Sequence, residues 1–262
     1  MTVTHDEKVV REFSKQAASF GDPRLNMAFT VNLARLVQFM EPELDLEDVV
    51  LEVCAGTGLV ARAIARRVRH VTALDITPAM LEQGKREADA DTLTNVTFTR
   101  GDALDLPYAG RSFTLVVTRF SLHHFADPAA VVREMVRVSR PGAAIVVADL
   151  VRPDLADQGD ADVDRLERLR DPAHGTTLTS GQITAMLGEA GAEVKRTDTF
   201  DLVRPLDQWL ELSQPPEEVR ARIRKELEDE LAGGPATGLR PALVDGELHF
   251  THANGFFLAI AP

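Results

Sequence analysis

Apolar positions recur every three or four residues over the first forty or so positions. In HDEKVVREFSKQAASF they are Val9, Val10, Phe13, Ala17 and Phe20, and NMAFTVNLARLVQFM repeats the rhythm. Two helices are therefore predicted within residues 5–40, broken at Gly21-Asp22-Pro23 and stopped by Pro42. From Val49 that period is lost. VVLEVCA, HVTALDI, NVTFTRGDA, FTLVVTRF and AAIVVADL are short, mostly apolar and rich in β-branched residues, the pattern of strands buried on both faces. Helical stretches separate most of them. LVARAIARRV is one, AMLEQGKREADA opened by Pro78 is another, and DPAAVVREMVRVSR has Asp127 as N-cap and Pro128 at its first turn. Strands alternating with helices predict an α/β fold whose sheet is largely parallel and covered on both faces.

After Leu150 the alternation loosens. RPDLADQGDADVDRLERLRDP reads as an acidic helix, and SGQITAMLGEAG as a helix with Ser180 as N-cap and Gly191 as C-cap. VKRTDTFDLVRP reads as a strand, DQWLELSQPPEEVRARIRKELEDELAGG as helix, turn, helix, and LHFTHANGFFLAIAP as a closing strand. The helical pair, about residues 207–241, is too long for a hairpin and is expected to form a lid. EEVRARIRKELEDE pairs Glu with Arg or Lys at helical spacing and reads as a solvated face.

The chain has 262 residues, enough for one large core without disulfide staples. Hydrophobic residues make up 44%, with one Trp and one Tyr, so that core must rest on aliphatic residues and Phe. A net charge of −12, from 41 acidic and 29 basic residues, argues against nucleic acid and anionic membrane as partners. The single cysteine excludes an internal disulfide and fits a reducing, cytoplasmic setting. No apolar run approaches the roughly 18 residues of a membrane span, and MTVTHDEKVV lacks the marks of a secretion signal. No His, Cys, Asp and Glu cluster has metal-ligand spacing, so no metal is expected.

The strongest local signal is Leu51-Glu52-Val53-Cys54-Ala55-Gly56-Thr57-Gly58. Two glycines between a buried strand and a helix let a ligand approach the backbone closely. Asp75, ending the next strand, is placed to hydrogen-bond both hydroxyls of a ribose. Together they predict a nucleoside-containing cofactor at the carboxyl ends of a parallel sheet. Gly56-Thr57-Gly58-Leu59-Val60-Ala61 also satisfies the loose dinucleotide pattern, so an NAD(P)-dependent oxidoreductase is an alternative.

VLEVCAGTG, VTALDITPAML, GDALDLPYAGRSFTLVVTRFSLHHFADP and VSRPGAAIVVADL, in that order, make residues 45–150 resemble a class I S-adenosylmethionine (SAM) dependent methyltransferase. The chain is most similar to the branch that includes the ubiquinone and menaquinone C-methyltransferases. The resemblance implies a Rossmann-like, seven-stranded sheet, with residues 1–44 as a helical cap, 45–150 as the SAM-binding core and 151–262 completing the sheet around the insertion, in one structural domain. It implies SAM as cofactor, S-adenosylhomocysteine as product, and a small-molecule methyl acceptor. Residue by residue, Glu52 would brace the glycine loop near the methionine moiety. Gly56 and Gly58 would be the second and third glycines of that loop, Cys54 replacing the first. Asp75 would hold the ribose, Ile76 and Met80 would lie near adenine and ribose, and Asp102 and Ala103 would contact the adenine. Arg119 would meet the amino-acid end. A methyltransferase fold catalysing a non-methylating step is a second alternative.

Imidazole is the default general base at neutral pH. His123 and His124 follow the fourth strand, where they either act as base or cap and pack the next helix. His174, in the polar loop RDPAHGTTLTSG, is a third candidate base, and otherwise a plain loop residue. His249 and His252 flank the closing strand, where exposure at a strand edge competes with a substrate role. Phe13 and Phe20 would cover the cofactor or pack the core, and Trp209 would anchor the insertion. The expected reaction is methyl transfer to carbon or oxygen of an aromatic or polyketide-like molecule, with oligomeric state left open.

Overall fold

Val50, Leu51 and Val53 are fully buried, as a run apolar on both faces requires. They form β1 (Val49–Val53), at the centre of the sheet. The structure is a computed structural model that describes residues 5–20, 27–152 and 162–262. The predicted break at Gly21-Asp22-Pro23 and the start of the acidic stretch after Arg152 lie outside the described residues. Before β1 come the helices α1 (His5–Phe20) and α2 (Met27–Met40). After it follow α3 (Leu59–Ile64), β2 (His70–Asp75), α4 (Pro78–Ala90), β3 (Val96–Arg100), β4 (Phe113–Arg119), α5 (Pro128–Val138) and β5 (Ser139–Leu150). Then come α6 (Asp164–Arg170), α7 (Ser180–Glu189), β6 (Glu193–Pro205), α8 (Leu206–Ser213), α9 (Glu217–Leu231), β7 (Ala242–Val244) and β8 (Glu247–Ile260).

The strands lie in the order β3-β2-β1-β4-β5-β8-β6, with β7 paired to β8. The contacts β3–β2, β2–β1, β1–β4 and β4–β5 are parallel, whereas β8 runs antiparallel to both β5 and β6. The path has the seven expected strands, and the short β7 adds an eighth. Strand order reverses between β1 and β4, and that switch point opens a crevice at the strands' carboxyl ends. One face of the sheet is packed by α5 and α7 around Val116, Ile145, Val131, Met135 and Leu187, and the other by α2 and α3 around Leu36, Ile64, Val117 and Val146. A third cluster, Leu166, Trp209, Leu210, Ile223, Leu227 and Phe250, joins α6, α8 and α9 to β8.

Asp127 caps α5 through its side chain, which accepts from the Ala130 N–H, and Pro128 opens the helix. The cap of α7 is Thr179 rather than Ser180. Thr179 and Gln182 form a reciprocal capping box, which a lone Ser one position later could not close. Its C-terminal cap is Ala190, and Gly191 follows with φ +92°, the left-handed position that glycine fills most easily. β8 outruns β5. Pairing with β5 ends at Leu150↔Asn254, yet β8 pairs with β6 through Pro205↔His249. This overhang, with α6 and α8 beside it, extends the sheet past the crevice.

Candidate active site

The glycine loop after β1 is held from both sides. Gly56 N–H donates to Asp75 Oδ2 at 2.7 Å, and Thr77 N–H donates to Asp75 Oδ1 at 2.8 Å. Asp75 thus ties the ends of β1 and β2 together, and burial raises its pKa against those two bonds. Below the loop, Glu52 accepts from Ala61 N at 2.7 Å and Val60 N at 3.3 Å, meeting the orphan donors of α3. Burial outweighs these bonds and pushes Glu52 up to about 7. Gly84 lets α4 lie against the loop, because a Cβ there would fall 2.5 Å from the Thr57 carbonyl oxygen.

Cys54 has φ 55°, in the left-handed region where a side chain is strained. A glycine would sit there freely, which gives the substitution a physical meaning that sequence alone did not. Burial first, and the Asp75 charge second, raise its thiol well above the ordinary range, so it is a protonated wall group and not a nucleophile.

One cleft collects these residues. Glu52, Cys54, Gly56, Asp75, Ile76, Met80, Asp102, Ala103, Arg119, His123 and His124 all line it, whereas Gly58 and His174 do not. It runs from the glycine loop and α1 to the residues of α6, β6, α8 and β8. Asp102 Oδ1 accepts from Leu104 N–H at 2.9 Å. The α1 residues Val9, Phe13, Gln16 and Phe20 roof the cleft, and α1 packs against both α4 and α8.

The three candidate bases differ sharply. His123 Nδ1 lies 2.5 Å from Asp149 Oδ1, and Asp149 Oδ2 accepts from Leu122 N–H at 2.8 Å. Burial alone would lower His123, but the charge and hydrogen bond of Asp149 win and raise it. The carboxylate can only accept, so Nδ1 carries the proton and Nε2 is the basic nitrogen of the neutral ring. His124 Nδ1 donates to the Ala173 carbonyl at 2.9 Å and its ring meets Phe13 edge-on at 5.1 Å. Burial, then the neighbouring His123, push His124 down to about 3. His174 Nε2 is 2.8 Å from Asp164 Oδ1, which also accepts from Thr177 N–H at 2.8 Å. His174 is buried behind the cleft wall, and the next two residues, Gly175 and Thr176, donate their N–H groups to the His123 carbonyl.

At the far end the cleft is lined by Glu167, Arg170, Asp171, Arg204, Trp209 and His252. His252 is buried on the β8 overhang, not exposed at a strand edge, because β6 covers the strand's other side. His249 stays outside the cleft, its Nδ1 3.2 Å from the Glu247 carbonyl. Trp209 packs on Phe250, ring centroids 4.6 Å apart, and carries the Arg170 guanidinium 4.6 Å above its ring. A buried amide chain links the two ends. Arg119 Nε donates to Asn32 Oδ1, Asn32 Nδ2 donates to Asn254 Oδ1, each at 3.2 Å, and Asn254 Nδ2 donates to the His252 carbonyl at 3.0 Å. Burial lowers Arg119 to about 10 despite Glu52 nearby. Sequence reasoning missed Asp149, Glu167, Arg170, Arg204, Asn32 and Asn254. Only Asp149 carried a signal, as an acid ending an apolar strand at the ligand edge.

The family described as "Methyltransferase domain" matches residues 50–142. The chain is 32% identical over 160 residues to the uncharacterized protein YafE of Escherichia coli, covering 61% of this chain and 77% of that one. It is 32% identical over 163 residues to a demethylmenaquinone methyltransferase of Listeria welshimeri, covering 59% and 67%. The crystal structure of YcgJ from Bacillus subtilis superposes with a TM-score of 0.78 at 25% identity, over 88% of this chain and 98% of that one.

Proposed function

The chain belongs to the SAM-dependent methyltransferases, and on that premise we propose that it methylates carbon or oxygen of a small, partly apolar acceptor. The observation that carries this reading is the juxtaposition in one cleft of the loop held by Asp75, the His123–Asp149 pair and the lining that continues to Trp209 and Arg204. The residues fit SAM. A Cβ on Gly56 would meet nothing within 4 Å, so space lies open beside the loop. Asp75 would hold the ribose hydroxyls, Asp102 and the Ala103 N–H the adenine edge, and Ile76 and Met80 the ring faces. Glu52, the loop residues Cys54 and Gly56, and Arg119 would frame the methionine end. Bound there, SAM supplies a methyl group already activated on a sulfonium.

This chain's own work is to orient the acceptor, exclude water and remove a proton. His123 is the base, accepting the acceptor's proton at Nε2 while Asp149 holds Nδ1–H and stabilises the imidazolium. His124 stays neutral and walls the site against Phe13. His174 is a positioning residue, holding through Asp164 the loop that binds the His123 backbone. α1, α8 and the β8 overhang cover the acceptor.

The Listeria relative is named for a quinone precursor, so quinols and phenols, neutral and acidic, are the first acceptors to try. Incubation with SAM should give a product carrying one added methyl group and an equal amount of S-adenosylhomocysteine by mass spectrometry. Absence of SAM binding by calorimetry at millimolar concentration would overturn the reading.

A further inference from the structure

Proton removal at His123 leaves a group of buried ionisable residues without a task. Glu167 and His252 are buried, and with Arg170, Asp171 and Arg204 they line the end of the cleft remote from Asp75. Burying such groups is unfavourable unless they are paired and used. Their arrangement has a direction. Glu167 Oε1 lies 2.7 Å from His252 Nε2, and Arg204 Nη1 lies 3.3 Å from His252 Nδ1. A guanidinium can only donate, so His252 Nδ1 accepts and the ring proton sits on Nε2, toward Glu167. The Glu167 carboxylate lies against the protonated nitrogen, and the other nitrogen accepts from Arg204 and helps to hold its guanidinium in place.

Charges follow the same order. Burial would raise Glu167, but Arg170 and His252 hold it well below the usual carboxylate range. Burial pushes His252 down to about 4, so it is neutral in the working pH range and adds no further positive charge beside Arg204. Arg204 remains a cation, lowered to about 10 by burial and then by Arg170, with Glu167 partly offsetting them and Arg119 adding to them. An anion brought into this chamber relieves that crowding. Strand register puts Leu202 and Arg204 of β6 on the same face as His252 of β8, since Leu202 pairs with His252. Apolar wall is supplied by Leu202, Leu212, Trp209 and Phe120.

We propose that Arg204, backed by Arg170 and positioned by His252 and Glu167, binds a carboxylate on the methyl acceptor, which is therefore an organic acid with an apolar body. The inference rests on the methyltransferase reading and deepens it. A carboxylate is favoured over a phosphate because Glu167 and Asp171 face the same chamber and oppose a doubly charged group.

The test is calorimetric titration of the protein saturated with S-adenosylhomocysteine, using matched neutral and anionic probes, 2-naphthoate against 2-naphthamide and benzoate against benzamide. The carboxylate should bind about tenfold tighter or more in at least one pair. Arg204→Met should erase that preference, Arg204→Lys should retain part of it, and His252→Gln should lower the ratio of carboxylate to amide affinity, which a merely structural lesion would not do. Retained S-adenosylhomocysteine affinity reports that each variant is folded. A preference in no pair, whether both members bind or neither does, overturns the inference and leaves the methyltransferase reading standing. If the wild-type protein fails to bind S-adenosylhomocysteine, both fall.

Discussion

At the Asp75 end of the cleft, the polar contacts run mainly between side chains and nearby backbone. Asp75 takes N–H groups from Gly56 and Thr77, Glu52 from Val60 and Ala61, and Asp102 from Leu104. At the Arg204 end, side chains hold side chains. His252 stands between Glu167 and Arg204, and Arg170 lies 3.2 Å from Glu167 and stacks on Trp209. The first construction uses groups close in sequence and is fixed once the strand-loop-helix unit forms. The second brings together α6, β6, α8 and β8, and exists only when the third apolar cluster is packed. Backbone-built sites suit a ligand that is the same across a family, and side-chain sites can be exchanged to change the acceptor.

The contrast can be broken most severely by removing Trp209. Trp209→Ala should destabilise the protein by about 4 kcal/mol, because a buried indole is lost beneath Phe250 and Arg170. Denaturant titration measures this. If the two ends are independently built, S-adenosylhomocysteine affinity of the folded variant should change little.

Next in size is the proposed base, His123. His123→Ala should lower turnover by about 1,000-fold with cofactor affinity kept. The neutral form of His123 is needed, so turnover should fall as pH drops through a pKa above the usual imidazole value. Asp149→Asn removes the group that raises it and leaves burial unopposed, so that acid limb should move to lower pH. A limb that stays in place would assign the proton transfer elsewhere.

At the Asp75 end, Asp75→Ala should weaken SAM binding by about 3 kcal/mol, roughly 100-fold, since the proposed ribose contacts and the Gly56 tie would be lost together. Unchanged affinity in calorimetry would refute the ribose role.

The smallest effect is predicted at position 54. Cys54→Gly should stabilise the protein by about 0.5–1 kcal/mol, the relief of a left-handed side chain less the added chain entropy of glycine. Cys54→Ala keeps the strain and should show no such gain in thermal unfolding.

These same differences decide what could be read from the chain. The sheet and one end of the cleft were legible because Glu52, Gly56, Asp75 and Asp102 each sit at a fixed place in a local strand-turn unit. Lining by Gly58 did not follow, since its side of the loop faces Phe98 and Ala73. The choice among histidines was not legible either. His123 and His124 are adjacent, and only the fold places Asp149 beside one and a backbone carbonyl beside the other. His174 read as a candidate base or a plain loop residue and is buried against Asp164. Glu167 and Arg170 stand at the i,i+3 spacing of an ordinary surface pair, and nothing in a helix of seven residues announces that the pair will line a cleft with β6 and β8.

The strained backbone at Cys54 also has a genetic consequence. Cysteine codons become glycine codons by one change at the first base, so relief of the strain is a single step away for any lineage carrying this loop. A codon library at position 54, screened for activity surviving heat, should therefore return glycine first.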